Sequence, residues 1–357
     1  METALITFRQ PRDAFYSDKI SDIIDLFNGY NFVIGAVLTL SGENKKEFFE
    51  KFNILRQTYG NIIVLNSEYN TFEMSDVFEN FVKMNYVYDD DGFSVILLDG
   101  SFRYREVLEQ KFIPHLQEKY GRKFGKVVFK LYGVPSSKLG AVVDEINGLT
   151  GGNVIFNITE NGGDYKAELI YDNTSGKMAV DDAQKKFISV FRDYIYAEYD
   201  VTLEQRLVDI LKLRNLVLSS AESFTGGNIA RSIVGIPGAS DVFYEGIVSY
   251  GIEAKKKRLN VKQETLAKFK AVSAEVAYEM CAGLMTEGVC DVAVSTTGIA
   301  GPTSDSSNFP VGLCYIAVGF GKDIHVRKYN FTGSREEIID KGTKTAMFLA
   351  VNAIKNI

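Results

Sequence analysis

Histidine is scarce in this chain, with two, His115 and His325, among 357 residues. Hydrolysis built on an imidazole base has little to draw on, so a nucleophile here needs another partner. Cysteine is scarce too. Cys281, Cys290 and Cys314 are odd in number, widely spaced and lack a CxxC pair. They read as free core thiols in a reducing compartment, not as disulfides or zinc ligands, and the expected location is the cytoplasm. Basic excess is missing: the formal charge is −6. General binding to nucleic acid or to an anionic membrane surface is therefore not favoured. No stretch approaches the roughly 18 apolar residues of a membrane span. The longest, 32–40, is broken by Gly35 and Thr39. No apolar run with a small-residue cleavage site follows Glu2, so no signal peptide is expected and the sequon Asn157-Ile158-Thr159 is a coincidence. Tandem repeats and low-complexity segments are also missing.

What is present is an ordinary globular balance, 46% hydrophobic and 24% charged, in a chain long enough for two or three domains. Apolar strands at 4–8, 32–39, 61–65 and 93–98 alternate with amphipathic helices at 18–27, 45–59 and 103–120. That alternation predicts a mostly parallel sheet covered on both faces. A compact unit follows: strand 124–131, helix 136–146, a hairpin of 154–159 and 166–171 around Asn161-Gly162-Gly163, and a helix from 179 to 197. Its Gly148-Leu149-Thr150-Gly151 is formally the GxxG of an RNA-clamping loop, but no Lys or Arg stands in or beside it, so it reads as a plain turn. Thr202 with Gln205 makes a capping box that opens a helix at 203–213. Strands recur at 216–220, 246–250, 291–295, 312–319 and 324–331, with helices at 226–234, 273–287 and 334–354. The expected fold class is α/β, in three domains at 1–121, 122–201 and 202–357.

Glycine pairs and hydroxyls gather just beyond strands of the third domain, where ligands of α/β sheets collect. Ala221–Gly227 (AESFTGG) sets Ser223 on a strand-to-helix turn. Free N–H groups at a helix start favour an anion, which makes Thr225, Gly226 and Gly227 binding candidates. Helix capping by Ser223 or Thr225 accounts for the same residues. Ser240, in Pro237-Gly238-Ala239-Ser240, reads most simply as the N-cap of a short helix. Ser249–Lys255 (SYGIEAK) places Tyr250 and Lys255 just past the next strand, where a packing tyrosine and a surface lysine are the plain alternatives. The three charges after Lys255 read as a solvated helix end. Thr296–Pro302 (TTGIAGP) brings Thr297 and Gly298 to a further strand end, as a ligand contact or as a plain turn. Parallel strands that end side by side would let Ser223, Tyr250 and Lys255 meet. A serine activated by lysine, with tyrosine orienting both, attacks an amide without histidine.

The segments AESFTGG, PGASDVFYEGIVSYGIEAK, AVSAEV, TTGIAGP, PVG and FTGSRE occur in that order between residues 221 and 336. Together they resemble the C-terminal domain of the CinA (competence/damage-inducible) family. The resemblance implies a nicotinamide-mononucleotide amidohydrolase of the serine/lysine type. Ser223 would be the nucleophile, Lys255 the base and Tyr250 the residue orienting both, with Ser240 as the rival nucleophile. The N–H groups of Thr225 and Gly226 would form the oxyanion hole. Ser240, Thr297, Gly298 and Arg335 would hold ribose and phosphate. The resemblance implies no metal and no cofactor; the expected partners are a small pyridine nucleotide and a second copy in a homodimer.

More weakly, 124–200 resembles the family's KH-like middle domain, and 1–121 its molybdopterin-binding-like N-terminal domain. That N-terminal resemblance is degenerate. The family's TGGLGPT loop is replaced by Asn66-Ser67-Glu68-Tyr69-Asn70-Thr71, its GDELL by Arg9-Gln10-Pro11-Arg12-Asp13, and its LPGVP turn by Leu98-Asp99-Gly100-Ser101. Without those glycines the backbone does not cradle a pyrophosphate in the same way. The expectation is loss of the family's ADP-ribose pyrophosphatase activity, leaving a scaffold or dimer interface. In the third domain Phe224 stands where the family has cysteine, and Gly251-Ile252 replaces a Ser-Asn pair before the lysine. The segment after Pro302 is Ser/Asp-rich instead of Gly-rich, and Ile339 takes one place of a basic pair that keeps Arg335. The competing expectation is a non-catalytic nucleotide-sensing or assembly protein. A role in DNA uptake finds no interleaved basic and aromatic residues in its support.

Overall fold

The strands at 2–8, 61–65 and 93–98 of the N-terminal segment are buried along nearly their whole length, as the middle of a sheet covered on both faces requires, while the strand at 33–40 alternates between exposed and half-buried residues. The computed structural model describes residues 2–8, 15–66, 84–90, 92–99, 103–152, 154–286, 288–303 and 309–355. Strands β1 (Glu2–Phe8), β2 (Val33–Leu40), β3 (Asn61–Leu65), β4 (Tyr86–Asp90) and β5 (Phe93–Leu98) form one sheet in the order β2-β1-β3-β5-β4. Its first four members run parallel, and β4 returns antiparallel to β5. Helices α1 (Phe15–Asn28), α2 (Lys45–Thr58), α3 (Tyr104–Val107) and α4 (Ile113–Lys119) flank it, the last two joined by a π-helical stretch, Leu108–Phe112. Strand β4 was not expected. Its Asp89-Asp90 end carries little strand propensity, and pairing with β5 overrides that.

At the amino ends of β3 and β5, Lys119 Nζ donates to Asn61 Oδ1 (2.9 Å), Ser94 Oγ (2.9 Å) and the Gly60 carbonyl (3.0 Å). Ser94 Oγ also lies 2.9 Å from Asp89 Oδ1 and 2.9 Å from His115 Nε2. Three of the expected departures from family motifs, at 9–13, 67–71 and 100–101, lie outside the described residues.

The next sheet has the order β7-β8-β6-β9, from β6 (Phe124–Tyr132), β7 (Val154–Asn161), β8 (Asp164–Asp172) and β9 (Ile195–Ala197), with α5 (Ser136–Thr150) and α6 (Lys177–Phe191). The hairpin expected around Gly162-Gly163 is present, with both glycines at positive φ. The helix expected to run to 197 stops at Phe191. Buried Ile195, Tyr196 and Ala197 instead form β9 against β6.

The last sheet places β10 (Leu218–Glu222), β11 (Phe243–Val248), β12 (Val292–Gly298), β13 (Leu313–Phe320) and β14 (Asp323–Asn330) in the order β11-β10-β12-β13-β14. Strands β11, β10 and β12 are parallel; β13 and β14 are antiparallel. Helices are α7 (Leu203–Arg214), α8 (Asn228–Val234), α9 (Ile252–Leu259), α10 (Gln263–Phe269), α11 (Ala274–Met285) and α12 (Arg335–Lys355). Thr202 caps α7 by accepting from the Gln205 N–H, as expected. Alternation along β12 divides the core: Val292 and Val294 pack with α7, α8 and α12 residues, while Ala293 packs with Met280 and Cys281 of α11. The result is a three-layer α/β/α arrangement whose three parallel strands end on one edge.

Two compact units partition the chain. One comprises Met1–Val127, Val143–Asn157 and Glu168–Lys185, and the other Val128–Val142, Ile158–Ala167 and Lys186–Ile357. All of the last sheet and its helices belong to the second unit.

Candidate active site

Ser223 follows directly on β10. Its N–H donates to the Thr296 carbonyl at 2.9 Å, extending the β10–β12 ladder by one residue before the chain turns. Lys255 comes from the first turn of α9. The expectation had this lysine just past a strand; the structure sets it on a helix that Gly251 opens. Lys255 and Leu259, four residues apart, form the buried stripe of α9, and Lys256, Lys257 and Arg258 make its basic last turn. The Lys255 side chain is 1% exposed. Its Nζ donates to Ser223 Oγ at 2.8 Å, to the Ser249 carbonyl at 2.6 Å and to the Tyr250 carbonyl at 3.1 Å. No carboxylate is among these partners, and burial lowers its pKa from 10.5 to about 8. The Gly251-Ile252 replacement therefore leaves the lysine within reach of the serine.

These two side chains open on a cleft of about 380 Å³. It is also lined by Phe224, Tyr250, Thr297, Gly298, Gly301 and Arg335, and by Ala271 and Val272 before α11. Thr297 Oγ1 donates to the Ala271 carbonyl at 2.7 Å, tying that wall to β12. Arg335 Nη1 donates to the Gly301 carbonyl. Among the described residues the lining includes two cations, Lys255 and Arg335, and no carboxylate.

Several expectations change. Tyr250 reaches the lysine through its backbone carbonyl; its side chain is 70% exposed and its hydroxyl has no hydrogen-bond partner among the described residues. The contacts to Lys255 expected of the phenol are made by two carbonyls. Thr225, Gly226 and Gly227 do not line the cleft. Thr225 and Gly227 hold the Glu222 carboxylate instead. Glu222 Oε2 accepts from Thr225 Oγ1 (2.7 Å), Gly227 N (2.9 Å) and Ile229 N (3.0 Å), while Oε1 accepts from Ala230 N (2.9 Å) and Ser220 Oγ (3.1 Å). The positive end of α8 is thus filled by the chain's own anion, which explains why a fully buried Glu222 is tolerated. Neither Ser223 nor Thr225 caps the helix.

Ser240 is not brought to the site. It is exposed, lies inside the 3-10 turn Ala239–Asp241 after Gly238, and precedes β11, whereas Tyr250 follows it. The length of that strand, about 20 Å at 3.3 Å per residue, separates the two ends. Part of the Ser/Asp-rich segment after Pro302, residues 304–308, is outside the described residues.

Sequence reasoning missed Glu222 and the carbonyls of Ser249 and Tyr250. An acidic residue that ends an apolar strand directly before a glycine-rich helix start was the available signal for Glu222.

The CinA C-terminal domain model matches residues 200–354. A competence-damage inducible protein of Caldicellulosiruptor saccharolyticus is 33% identical over 277 residues, 76% of this chain and 67% of that protein. The chain belongs to the CinA family. A like-named protein of Clostridium botulinum is 32% identical over 251 residues, 70% of this chain and 61% of that protein, so the chain spans about two thirds of the length of these relatives. The crystal structure of a CinA superfamily protein from Klebsiella pneumoniae is 31% identical, covering 43% of this chain and 97% of that one with a TM-score of 0.42.

One departure of this CinA chain from the family motif has a visible structural setting. Phe224 is 4% exposed, and its ring occupies space above Gly298 and Gly342. A Cβ at Gly342 would collide with the ring, and one at Gly298 would collide with both the ring and the Leu313 carbonyl.

Proposed function

We propose that this CinA-family chain hydrolyses the carboxamide of nicotinamide mononucleotide, releasing ammonia and nicotinate mononucleotide. The observation that carries the reading is the 2.8 Å contact between the buried Lys255 amine and Ser223 Oγ, at the wall of a cleft lined by two cations. A neutral amine has two N–H donors and one lone pair. The Ser249 and Tyr250 carbonyls take the two donors, which turns the lone pair toward the serine hydroxyl. A lysine with its pKa at about 8 supplies a useful neutral fraction near physiological pH.

Ser223 Oγ attacks the carboxamide carbon as its proton passes to Lys255. The C–N bond of the tetrahedral intermediate then breaks, and Lys255 returns the proton to the departing ammonia. Water, deprotonated by Lys255, hydrolyses the nicotinoyl ester and restores Ser223. Every proton is accounted for on the lysine, and imidazole is not needed. The backbone N–H groups of Ala300 and Gly301 have no hydrogen-bond partner among the described residues and are the candidates for the developing oxyanion, in place of Thr225 and Gly226. Arg335 and the Thr297-Gly298 strand end are placed to receive phosphate and ribose. We assign the chemistry to a domain at 202–357, after a domain at 1–121 without pyrophosphatase activity and a middle domain at 122–201.

Ammonia release from nicotinamide mononucleotide by the full chain tests the reading, with pyridine-nucleotide binding measured in parallel. Turnover that Ser223→Ala lowers by at least about a thousandfold supports it. Tight binding without turnover would replace the enzyme with a nucleotide sensor.

A further inference from the structure

Away from the candidate active site, three cations converge on a second cleft of the same compact unit. Arg192, Arg206 and Lys355 line a concavity of about 390 Å³, together with Tyr196, Glu198 and Tyr199. None of the three makes an ion pair among the described residues. Lys355 Nζ donates to the Ile195 carbonyl at 2.9 Å and to the Arg192 carbonyl at 3.5 Å. Arg206 Nε donates to the Tyr196 carbonyl at 3.0 Å, and its Nη1 to Tyr199 Oη at 3.4 Å. The Arg192 side chain is exposed and makes no hydrogen bond among the described residues. Among the described residues Glu198 is the one carboxylate lining the cleft, against three positive charges.

The three charges are close enough to act on one another. Lys355 has its pKa lowered by burial first, and the charges of Arg192 and Arg206 push it further the same way while Asp193 opposes them. In a chain whose formal charge is −6, this concentration of positive charge is local. Guanidinium groups present paired donors that fit phosphate oxygens, and the lysine adds a point charge. Tyr199 is 46% exposed, and the Arg206 guanidinium lies 5.9 Å from its ring centroid. An exposed ring beside an anion site offers a stacking surface to a planar base. The volume is that of a small-molecule site.

We propose that this cleft binds a nucleoside monophosphate, its phosphate held by Arg192, Arg206 and Lys355 and its base stacked on Tyr199. The site is separate from the candidate active site. Arg335 and Lys355 are the first and last residues of α12, which puts about 30 Å of helix between the two clefts. The inference is independent of the amidase reading.

Isothermal titration of the full chain with AMP, inorganic phosphate and adenosine tests it. AMP binds, phosphate competes with it more weakly, and adenosine alone does not bind. Arg192→Glu weakens AMP at least tenfold without changing ammonia release, Tyr199→Ala brings AMP down to the affinity of phosphate, and Arg335→Ala leaves AMP binding unchanged. The affinity falls as salt rises. The proposal is overturned if neither phosphate nor AMP binds, if Arg192→Glu binds AMP like the parent chain, or if Arg335→Ala is the variant that abolishes binding. Equal affinity for phosphate and AMP overturns the nucleotide assignment.

Discussion

Lys119 donates to Ser94 at 2.9 Å in the N-terminal sheet, and Lys255 donates to Ser223 at 2.8 Å in the C-terminal one. Both lysines have their pKa lowered by burial. The surroundings of the two hydroxyls differ. Ser94 is fully buried at the amino end of β5, and Asp89, His115 and Lys119 all contact its Oγ, which fills the one donor and two acceptor positions of a hydroxyl. Ser223 stands past the carboxyl end of β10, faces a cleft, and has Lys255 as its side-chain partner. A short lysine–serine distance is therefore a weak sign of a nucleophile. Free hydrogen-bonding capacity and access to a cavity separate a reactive pair from a structural latch.

The sharpest way to break this comparison is to remove each hydroxyl. Ser223→Ala should lower ammonia release by at least about a thousandfold with the fold intact, whereas Ser94→Ala should keep turnover within about twofold and lose roughly 1–3 kcal/mol of stability. The reverse pattern would move the chemistry to the N-terminal sheet.

Lys255→Met should abolish turnover as fully as Ser223→Ala, while Lys119→Met should affect only the denaturation midpoint. The pH profile sharpens the contrast. The folded-state pKa of Lys255 is depressed to about 8, so the neutral base is lost as pH falls below that value. The rate at limiting substrate should climb through about pH 8 and level off above it. A profile flat from pH 6 to 9 would remove lysine as the base.

Glu222→Gln sits next in size. It keeps the shape but replaces a carboxylate that accepts five hydrogen bonds at the start of α8, and the amide group then faces N–H donors. A destabilisation of about 2–4 kcal/mol is expected in chemical denaturation, with a smaller fall in turnover. Unchanged stability would mean that the carboxylate does not hold the helix. Tyr250→Phe should have the smallest effect, within about threefold in turnover, because the lysine uses the Tyr250 carbonyl and the hydroxyl is unpaired among the described residues. A hundredfold loss would restore the phenol to the chemistry.

Much of the architecture was legible because strand burial imprints apolar runs on the sequence. Strands β3 and β5 were placed to the residue, and β12 to β14 within a few. The strands that escaped, β4 and β9, are short and held by pairing with β5 and β6, a long-range effect that local pattern does not carry. The inward face of helix α9 was hidden for another reason. Its run of Lys255, Lys256, Lys257 and Arg258 reads as uniformly polar, and only the fold shows that one of the four points inward.

The site was legible as residue types at strand ends, and its partition was not. Hydroxyls and glycines of AESFTGG looked alike in sequence. The structure separates Ser223, which faces the cleft, from Thr225 and Gly227, which serve Glu222. Ser240 stood as the rival nucleophile until the direction of β11 put it at the opposite end of the sheet.

The ring of Phe224 bears on the history of this chain. Gly342 lies in the interior of a 21-residue helix, where glycine is about 1 kcal/mol less favourable than alanine. A Cβ there would strike the ring, so the aromatic residue fits only beside a glycine. A mutational path from a smaller residue at 224 has to pass through Gly342 first, and a chain that took the steps in the other order would have met the clash before the relief. The pair is thus mutually binding: with phenylalanine seated at 224, position 342 has no room for a side chain.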